Sequence, residues 1–447
     1  VTYRFTRRAM LSAAGAAGLS ALLAACGGGQ ATPTPAPQAS PTAAPAQQPS
    51  PTAQAASTPA TGGTPTVVAS KPQKTLRIGF AISKSGPYAA GAGITIYPNY
   101  VLWAKDVNDA GGIELEDGVY TVELIEYDDQ SSPEEAIKAI QRLVQQDKVD
   151  LLLPPWGTAM NLAVAPVFHQ LGYPQLGVAN LSDKTPELVK QWPGYFSFLG
   201  TSSQYSEAIA DLLGDLASQG KIGKKVALVY VDDEFGLELS AAARKKFQET
   251  GFEVVYDQGY PLGTADFQPI LTDIKQLQPD AFVACSYPAD TLALPQAAMV
   301  LDFNPPVFLT AVGTAFPIYL AQFGQNAEGV MGIGGIDPKQ PGLMDYYQRH
   351  KQVTGQDPDR WGSPICYASL QVLQQALQRV GKVDRQAITQ EIATGSFETI
   401  IGTVKLEGNI YYGNWLLGQW QNGEFLALWP KQKAATAPVV PKPNWQK

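Results

Sequence analysis

Lys225-Val226-Ala227-Leu228-Val229-Tyr230-Val231, followed at once by Asp232-Asp233-Glu234-Phe235-Gly236, is the stretch on which the fold turns. An apolar run of this length without polar alternation reads as a strand buried on both faces. A helical stretch over 237–249 follows it, then a strand over 252–256 and a helix over 267–277. Two more strands are predicted at 281–284 and 307–310, and a helix over 205–218 precedes the set. Strands that alternate with helices imply parallel sheets covered on both faces.

The same alternation runs once before. Leu76-Arg77-Ile78-Gly79-Phe80-Ala81-Ile82 is a short β-rich run that ends in a Gly-Pro turn. A helix over 94–110 and a strand over 119–126 come next. Ser132 can cap the following helix, Pro133 suits its first turn, and Glu134 and Glu135 favour its positive end. Ala136, Ile137, Ile140, Leu143 and Val144 fall on one face of that helix. Asp150-Leu151-Leu152-Leu153 is a buried strand, and a further helix runs through Leu171. Two such sets predict an α/β chain of two doubly wound lobes, in which ligands sit beyond the carboxyl ends of strands.

The 447 residues are 45% hydrophobic and 16% charged, enough for a large core and more than one domain. A net charge of -8 leaves no basic footprint for nucleic acid. With 3 cysteines and 2 histidines, neither a disulfide scaffold nor a metal centre is expected, and no cofactor.

Residues 1–25 read as an export signal: Arg7-Arg8, then a charge-free apolar run from Met10 to Ala25. That run is shorter than the ~20 residues of a membrane-spanning helix. The arginine pair resembles a twin-arginine signal, and the general secretory route fits as well. Leu23-Ala24-Ala25-Cys26 resembles a bacterial lipobox, which implies that Cys26 carries a lipid and anchors the chain to the cell membrane, in the periplasm or on the outer face. Residues 26–74 form a linker whose stretch from Gln30 to Ser70 holds two valines and no charge. It cannot bury enough apolar surface to offset its ordering entropy. As a flexible coil, about 45 such residues span about 40 Å.

Ser85-Gly86-Pro87, Asn108-Asp109-Ala110-Gly111-Gly112-Ile113 and Tyr127-Asp128-Asp129 before Pro133 make the body recognisable. Asp232-Asp233-Glu234-Phe235-Gly236 and Ala327-Glu328-Gly329-Val330 continue the pattern. In this order, from Leu76 to about Pro430, they resemble the leucine/isoleucine/valine-binding family of substrate-binding subunits of importers. The resemblance implies the type I periplasmic-binding-protein fold, two Rossmann-like lobes joined by a three-strand hinge that close like a flytrap. Lobe one is expected at 75–200 plus 335–406, and lobe two at 201–334 plus 407–430. The remainder, 431–447, is Pro- and Ala-rich and is expected to be a flexible tail.

The post-strand loops supply the candidate ligand contacts. Trp156, Gly157 and Thr158 end one strand and precede a helix, where free N–H groups and a hydroxyl suit a ligand carboxylate or carbonyl. Thr158 matches a family position that gives such a hydroxyl, and an N-cap role is compatible with it. Trp156 stacks on ligand or packs between the lobes. Ala179, Asn180 and Ser182 fall where the family holds an ammonium or amide group, and Tyr88 and Phe235 match its aromatic positions at the cleft. In lobe two, Tyr287 is a candidate phenolic donor, and Asp290 binds ligand or caps the next helix. The amino-acid binders of this family place an acid near Val312 to meet the α-ammonium. Without one, either Asp290 or Asp233 substitutes or the ligand lacks that cation, because a buried unpaired charge is costly. "Small polar solute" is therefore the firmer reading than "amino acid".

Cys285 and Cys366 fall in different lobes and read as buried free thiols; His169 and His350 lack metal-ligand spacing. No Gly-x-Ser-x-Gly elbow or His-Glu-x-x-His is present, so no catalytic residue is expected, and a secreted hydrolase is the weakest reading. The expected protein is a monomeric extracytoplasmic lipoprotein that binds a solute for an importer's transmembrane permease. A sensing subunit for a membrane receptor or kinase is the alternative.

Overall fold

The computed structural model describes residues 71–446; the leader, Cys26, most of the linker and Lys447 lie outside the described residues. The first layer is a sheet ordered β2-β3-β1-β4, built from β1 (Gln73–Ile82), β2 (Ile113–Leu115), β3 (Gly118–Asp128) and β4 (Leu151–Leu153). β1 pairs in parallel with both β3 and β4, and β2 folds back on β3. Helices α1 (Ala89–Thr95), α2 (Tyr97–Asp109), α3 (Pro133–Gln145) and α4 (Thr158–Leu171) connect these strands. The helix expected over 94–110 is broken at Ile96, where Pro98 sits at the second position of α2 and fits a helix start better than an interior. Ser132 caps α3 as its sequence suggests, its hydroxyl accepting from the Glu135 N–H. β5 (Gln175–Gly177) and β6 (Tyr195–Ser197) pair in parallel, with the short helix α5 (Thr185–Gln191) between them.

The chain then enters a second sheet through α6 (Ser202–Ser218). Its strands are β7 (Lys225–Val231), β8 (Glu253–Tyr260), β9 (Ala281–Cys285), β10 (Val307–Thr310) and β11 (Met331–Ile333). Helices α7 (Glu234–Glu249), α8 (Gln268–Leu277), α9 (Pro288–Leu301) and α10 (Pro317–Phe323) link them. β9 and β10 are buried along their whole length, and so is β7 from Val226 to Val229, as a sheet covered on both faces requires.

After β11 the chain returns to the first layer with α11 (Leu343–Thr354), α12 (Gly362–Val380) and α13 (Arg385–Thr394), then the hairpin β12 (Ser396–Thr399) and β13 (Gly402–Lys405). Hydrogen bonds from Tyr346 to Asn99 and from Trp103 to Gln374 dock these helices on α2. A last crossing delivers β14 (Leu417–Gln421) and β15 (Glu424–Trp429), which complete the second sheet in the order β15-β14-β11-β10-β9-β7-β8. The molecule is thus two α/β lobes, and the chain passes between them at 197–202, 333–343 and 405–417. The first and third passages lie side by side, the Ser197 N–H bonding to Asn409 O and the Tyr411 N–H to Ser197 O.

The C-terminal segment departs from the flexible tail expected of its composition. Residues 431–446 lie along lobe two, and the buried Trp445 packs edge-on against Phe308 and donates its indole N–H to Phe303 O at 2.8 Å. The Gln419 and Gln421 amides bond to Val439 O and Ala437 O, and the Lys442 N–H bonds to Pro306 O. A proline-rich segment loses little backbone entropy on ordering, so one aromatic anchor and a few backbone partners suffice.

Candidate functional site

The candidate residues gather where strands of both sheets end. In lobe one, β4 runs into Pro154-Pro155-Trp156-Gly157 and then α4. Gly157 has φ of 100°, a conformation that L side chains rarely adopt, and its N–H bonds to Ala179 O at 3.0 Å. The Thr158 hydroxyl donates to Leu181 O and accepts from the Leu181 N–H at 3.2 and 3.1 Å. These bonds fasten the loop after β4 to the loop after β5, so the Thr158 hydroxyl is a brace between them. Trp156 lies flat against α1 at Gly91, where an added Cβ would fall 2.2 Å from the indole ring.

In lobe two, Asp233 caps α7 by accepting the Gly236 N–H, which brings Phe235 to the first turn. Tyr287 precedes α9, and the Asp290 carboxylate accepts both the Tyr287 N–H and the Tyr260 hydroxyl at 3.1 Å. Of the two roles open to Asp290, the capping role is the one its bonds fill. Burial lifts its carboxyl to about 6, and burial also raises that of Asp233.

One tight void of about 10 Å³ is walled by Trp156, Thr158, Ala179, Asn180, Leu181, Leu199 and Trp361 from one side and by Phe235, Tyr287 and Val312 from the other. Six of the ten sequence candidates therefore line it. The other four stand behind the wall. Gly157 shapes the loop, Asp290 caps α9, Ser182 donates to Glu238, and Tyr88 packs its ring 5.6 Å from Trp156 and 5.4 Å from Tyr287. Phe235 and Tyr287 are stacked at 4.9 Å. Leu181, Leu199 and Trp361 were not foreseen; Trp361 enters from the loop before α12 and donates its indole N–H to the Tyr205 hydroxyl. Among the described residues no acidic side chain lines the cavity, and Val312 stands at its wall. Larger hollows of about 390 and 620 Å³ lie around Phe168 and Trp192 and around Asn326 and Lys442, each walled by one lobe alone, and a third of about 450 Å³, around Ala315, Leu320, Tyr347 and Arg360, is walled by both lobes.

The lobes are shut over this cavity. The Tyr88 hydroxyl donates to Asp233 at 3.0 Å across the cleft. Beside it, the Ser182 hydroxyl and the Asp183 N–H bond to Glu238 at 3.1 and 2.7 Å, and Lys184 pairs with Glu234 at 2.8 Å. Among the described residues, three buried side-chain atoms of the cavity wall have no hydrogen-bond partner: the Trp156 indole nitrogen, the Tyr287 hydroxyl and Asn180 Oδ1.

Elsewhere, Cys285 and Cys366 are buried free thiols, and burial lifts Cys285 to about 12. His350 is buried, its ring bonded to Gln356 O at the end of α11.

A chain of this architecture has relatives. The pattern of the family described as periplasmic binding protein matches residues 75–424. The Leu/Ile/Val-binding protein homolog 7 of Brucella suis is 21% identical over 366 residues, covering 76% of this chain and 87% of its own length. A substrate-binding protein of a branched-chain amino acid transporter from Streptococcus pneumoniae, solved with isoleucine, superposes with a TM-score of 0.68 at 21% identity, over 80% of this chain and 100% of its own. A solute-binding protein of an ABC transporter from R. palustris, solved with benzoate, gives 0.68 at 20% identity, over 83% and 97%. With two lobes, three crossings and a shared interlobe cavity already in place, the match over most of the body completes the case: the chain is a type I periplasmic binding protein of the branched-chain amino acid family.

Proposed function

We propose that this protein is an extracytoplasmic lipoprotein, tethered through Cys26, that captures a small polar solute between its lobes and delivers it to an ABC permease. The observation that carries this reading is the cavity whose wall is drawn from both lobes and sealed by bonds between them. Residues 75–200 with 335–406 would move as one body and 201–334 with 407–430 as the other. Trp156, Ala179, Asn180, Phe235 and Tyr287 would touch the solute. Only a ligand with differential affinity for the closed form can shift such an equilibrium, and contacts split between the lobes supply that difference.

The wall supports an uncharged polar solute over one with an unpaired charge. It presents rings, one amide and hydroxyls, with neither a carboxylate for a buried cation nor a basic side chain for a buried anion among the described residues. The test is a thermal-shift panel of branched-chain amino acids, small carboxylates and amides on the folded protein, paired with small-angle scattering. A solute that raises the melting temperature and contracts the particle supports the reading; stabilisation without contraction refutes closure.

A further inference from the structure

Far from the cleft, lobe two buries a lysine that meets no acid. Lys442 is 3% exposed, and its stem lies against Gly329, where an added Cβ would fall 2.9 Å from Lys442 Cγ. Its Nζ donates to Pro443 O at 2.6 Å and sits 3.3 Å from the centre of the Trp445 ring. An ammonium has three N–H donors, so two remain. The ring face attracts the cation without cancelling its charge. No carboxylate among the described residues offsets the burial, which lowers the Lys442 ammonium to about 7. A buried charge without a counter-ion is costly. Lys442 also forms part of the wall of the hollow of about 620 Å³, a volume usual for small-ligand sites. Three stretches enclose that hollow: 320–328, the turn at 420–423 and the docked segment at 442–446. Leu320 and Trp420 give it an apolar side, and Gln325 and Asn422 add amides. Glu328 is the one other ionisable residue of the wall. Its carboxylate accepts the Asn422 N–H at 2.7 Å and is half-buried, so water serves it where water cannot serve Lys442.

We propose that this hollow is a second ligand site, separate from the cleft, that takes a compact monocarboxylate whose acid group meets the Lys442 ammonium. The carboxylate supplies the missing counter-ion and accepts the free N–H donors, the strong form of hydrogen bond. A doubly charged anion suits the wall less, because one cation draws it while Glu328 repels it. An inorganic anion leaves the apolar side formed by Leu320 and Trp420 unused. Since the whole wall belongs to lobe two, filling it holds 442–446 against that lobe without moving one lobe towards the other.

The experiment is isothermal titration of the wild-type protein and Lys442→Met with L-lactate, inorganic phosphate and chloride at pH 8, in two buffers of different ionisation heat. Circular dichroism checks each fold, and scattering follows particle size. Methionine keeps the length of the stem on Gly329 and removes the charge. Lactate should bind wild type more tightly than phosphate or chloride, and Lys442→Met should weaken it at least about tenfold. Lysine is mostly neutral at pH 8 when its ammonium titrates near 7, and the bound anion restores the charge, so binding should take up about one proton. That uptake is read on wild type, so it decides the matter even if the variant fails to fold. Lactate binding without proton uptake overturns the proposal, and so does phosphate or chloride binding as tightly as lactate. Binding that survives Lys442→Met unchanged, or that contracts the particle, belongs to the cleft and overturns the second site while leaving the solute-binding reading standing. No binding of lactate, with Lys442→Met melting several degrees lower, identifies the lysine as a prop for Trp445 and overturns the proposal too.

Discussion

Replacing Glu238 by alanine separates closure from contact with the solute. Its carboxylate holds the Ser182 hydroxyl and the Asp183 N–H from the opposite lobe and lies 3.4 Å from the Lys184 ammonium, yet it lines no part of the cavity. A hydrogen bond to a charged group contributes about 1.5–3 kcal/mol when shielded, and an exposed ion pair about 0–1 kcal/mol. The mouth of the cleft is wet, so about 2 kcal/mol of closed-state stabilisation is a fair sum for the three contacts. That amount moves the open–closed ratio about 30-fold. If the open form dominates without solute, affinity falls by the same factor, because apparent affinity scales with the competent population. The assay is titration calorimetry with whichever solute the panel identifies, plus scattering to follow particle size. Thermal stability should hardly move, since each lobe keeps its core. Affinity within twofold of wild type would refute the claim that these contacts hold the cleft shut.

Gly91→Ala puts a methyl group 2.2 Å from the Trp156 ring, so the indole must shift; tryptophan fluorescence should change and solute affinity fall at least tenfold, and unchanged values would refute the close approach. Asp290 has a folded carboxyl raised from 3.8 to about 6, so the folded chain binds more protons than the unfolded chain between those values. The stability it contributes is therefore fully present below about pH 4 and lost as pH rises through about 6. Relative to Asp290→Asn, wild type should gain up to about 3 kcal/mol between pH 7 and pH 4 in urea unfolding, and a flat difference would count against a desolvated carboxyl. Trp445→Ala should cost about 3 kcal/mol of lobe-two stability while leaving affinity unchanged, and a loss under about 0.5 kcal/mol would mean that the anchor contributes little.

The strands were legible because parallel sheets covered on both faces demand unbroken apolar runs, as at Val226–Val229 and Leu151–Leu153. Strand-end logic then found Trp156, Ala179, Asn180, Phe235 and Tyr287, since these follow strands by a few residues. It could not find Trp361, whose loop follows a helix and reaches the cavity only through tertiary packing. Nor could it decide between the two roles of Asp290, because a carboxylate at a helix's third position caps or binds according to where its neighbours point. The order of the C-terminal segment is hidden from composition for a related reason. Composition measures the average tendency to order, and one tryptophan with a matching pocket outweighs it.

The docking of that tail gives the body a built-in ruler. Its described N-terminal residues lead into β1 of lobe one, whereas Trp445 is fastened to the back of lobe two. The two described ends therefore sit on different lobes, which would move apart and together as proposed. A dye pair at Lys71 and Gln446 would translate solute uptake into a colour change without touching the cleft, which makes the native backbone a ready frame for an optical metabolite gauge.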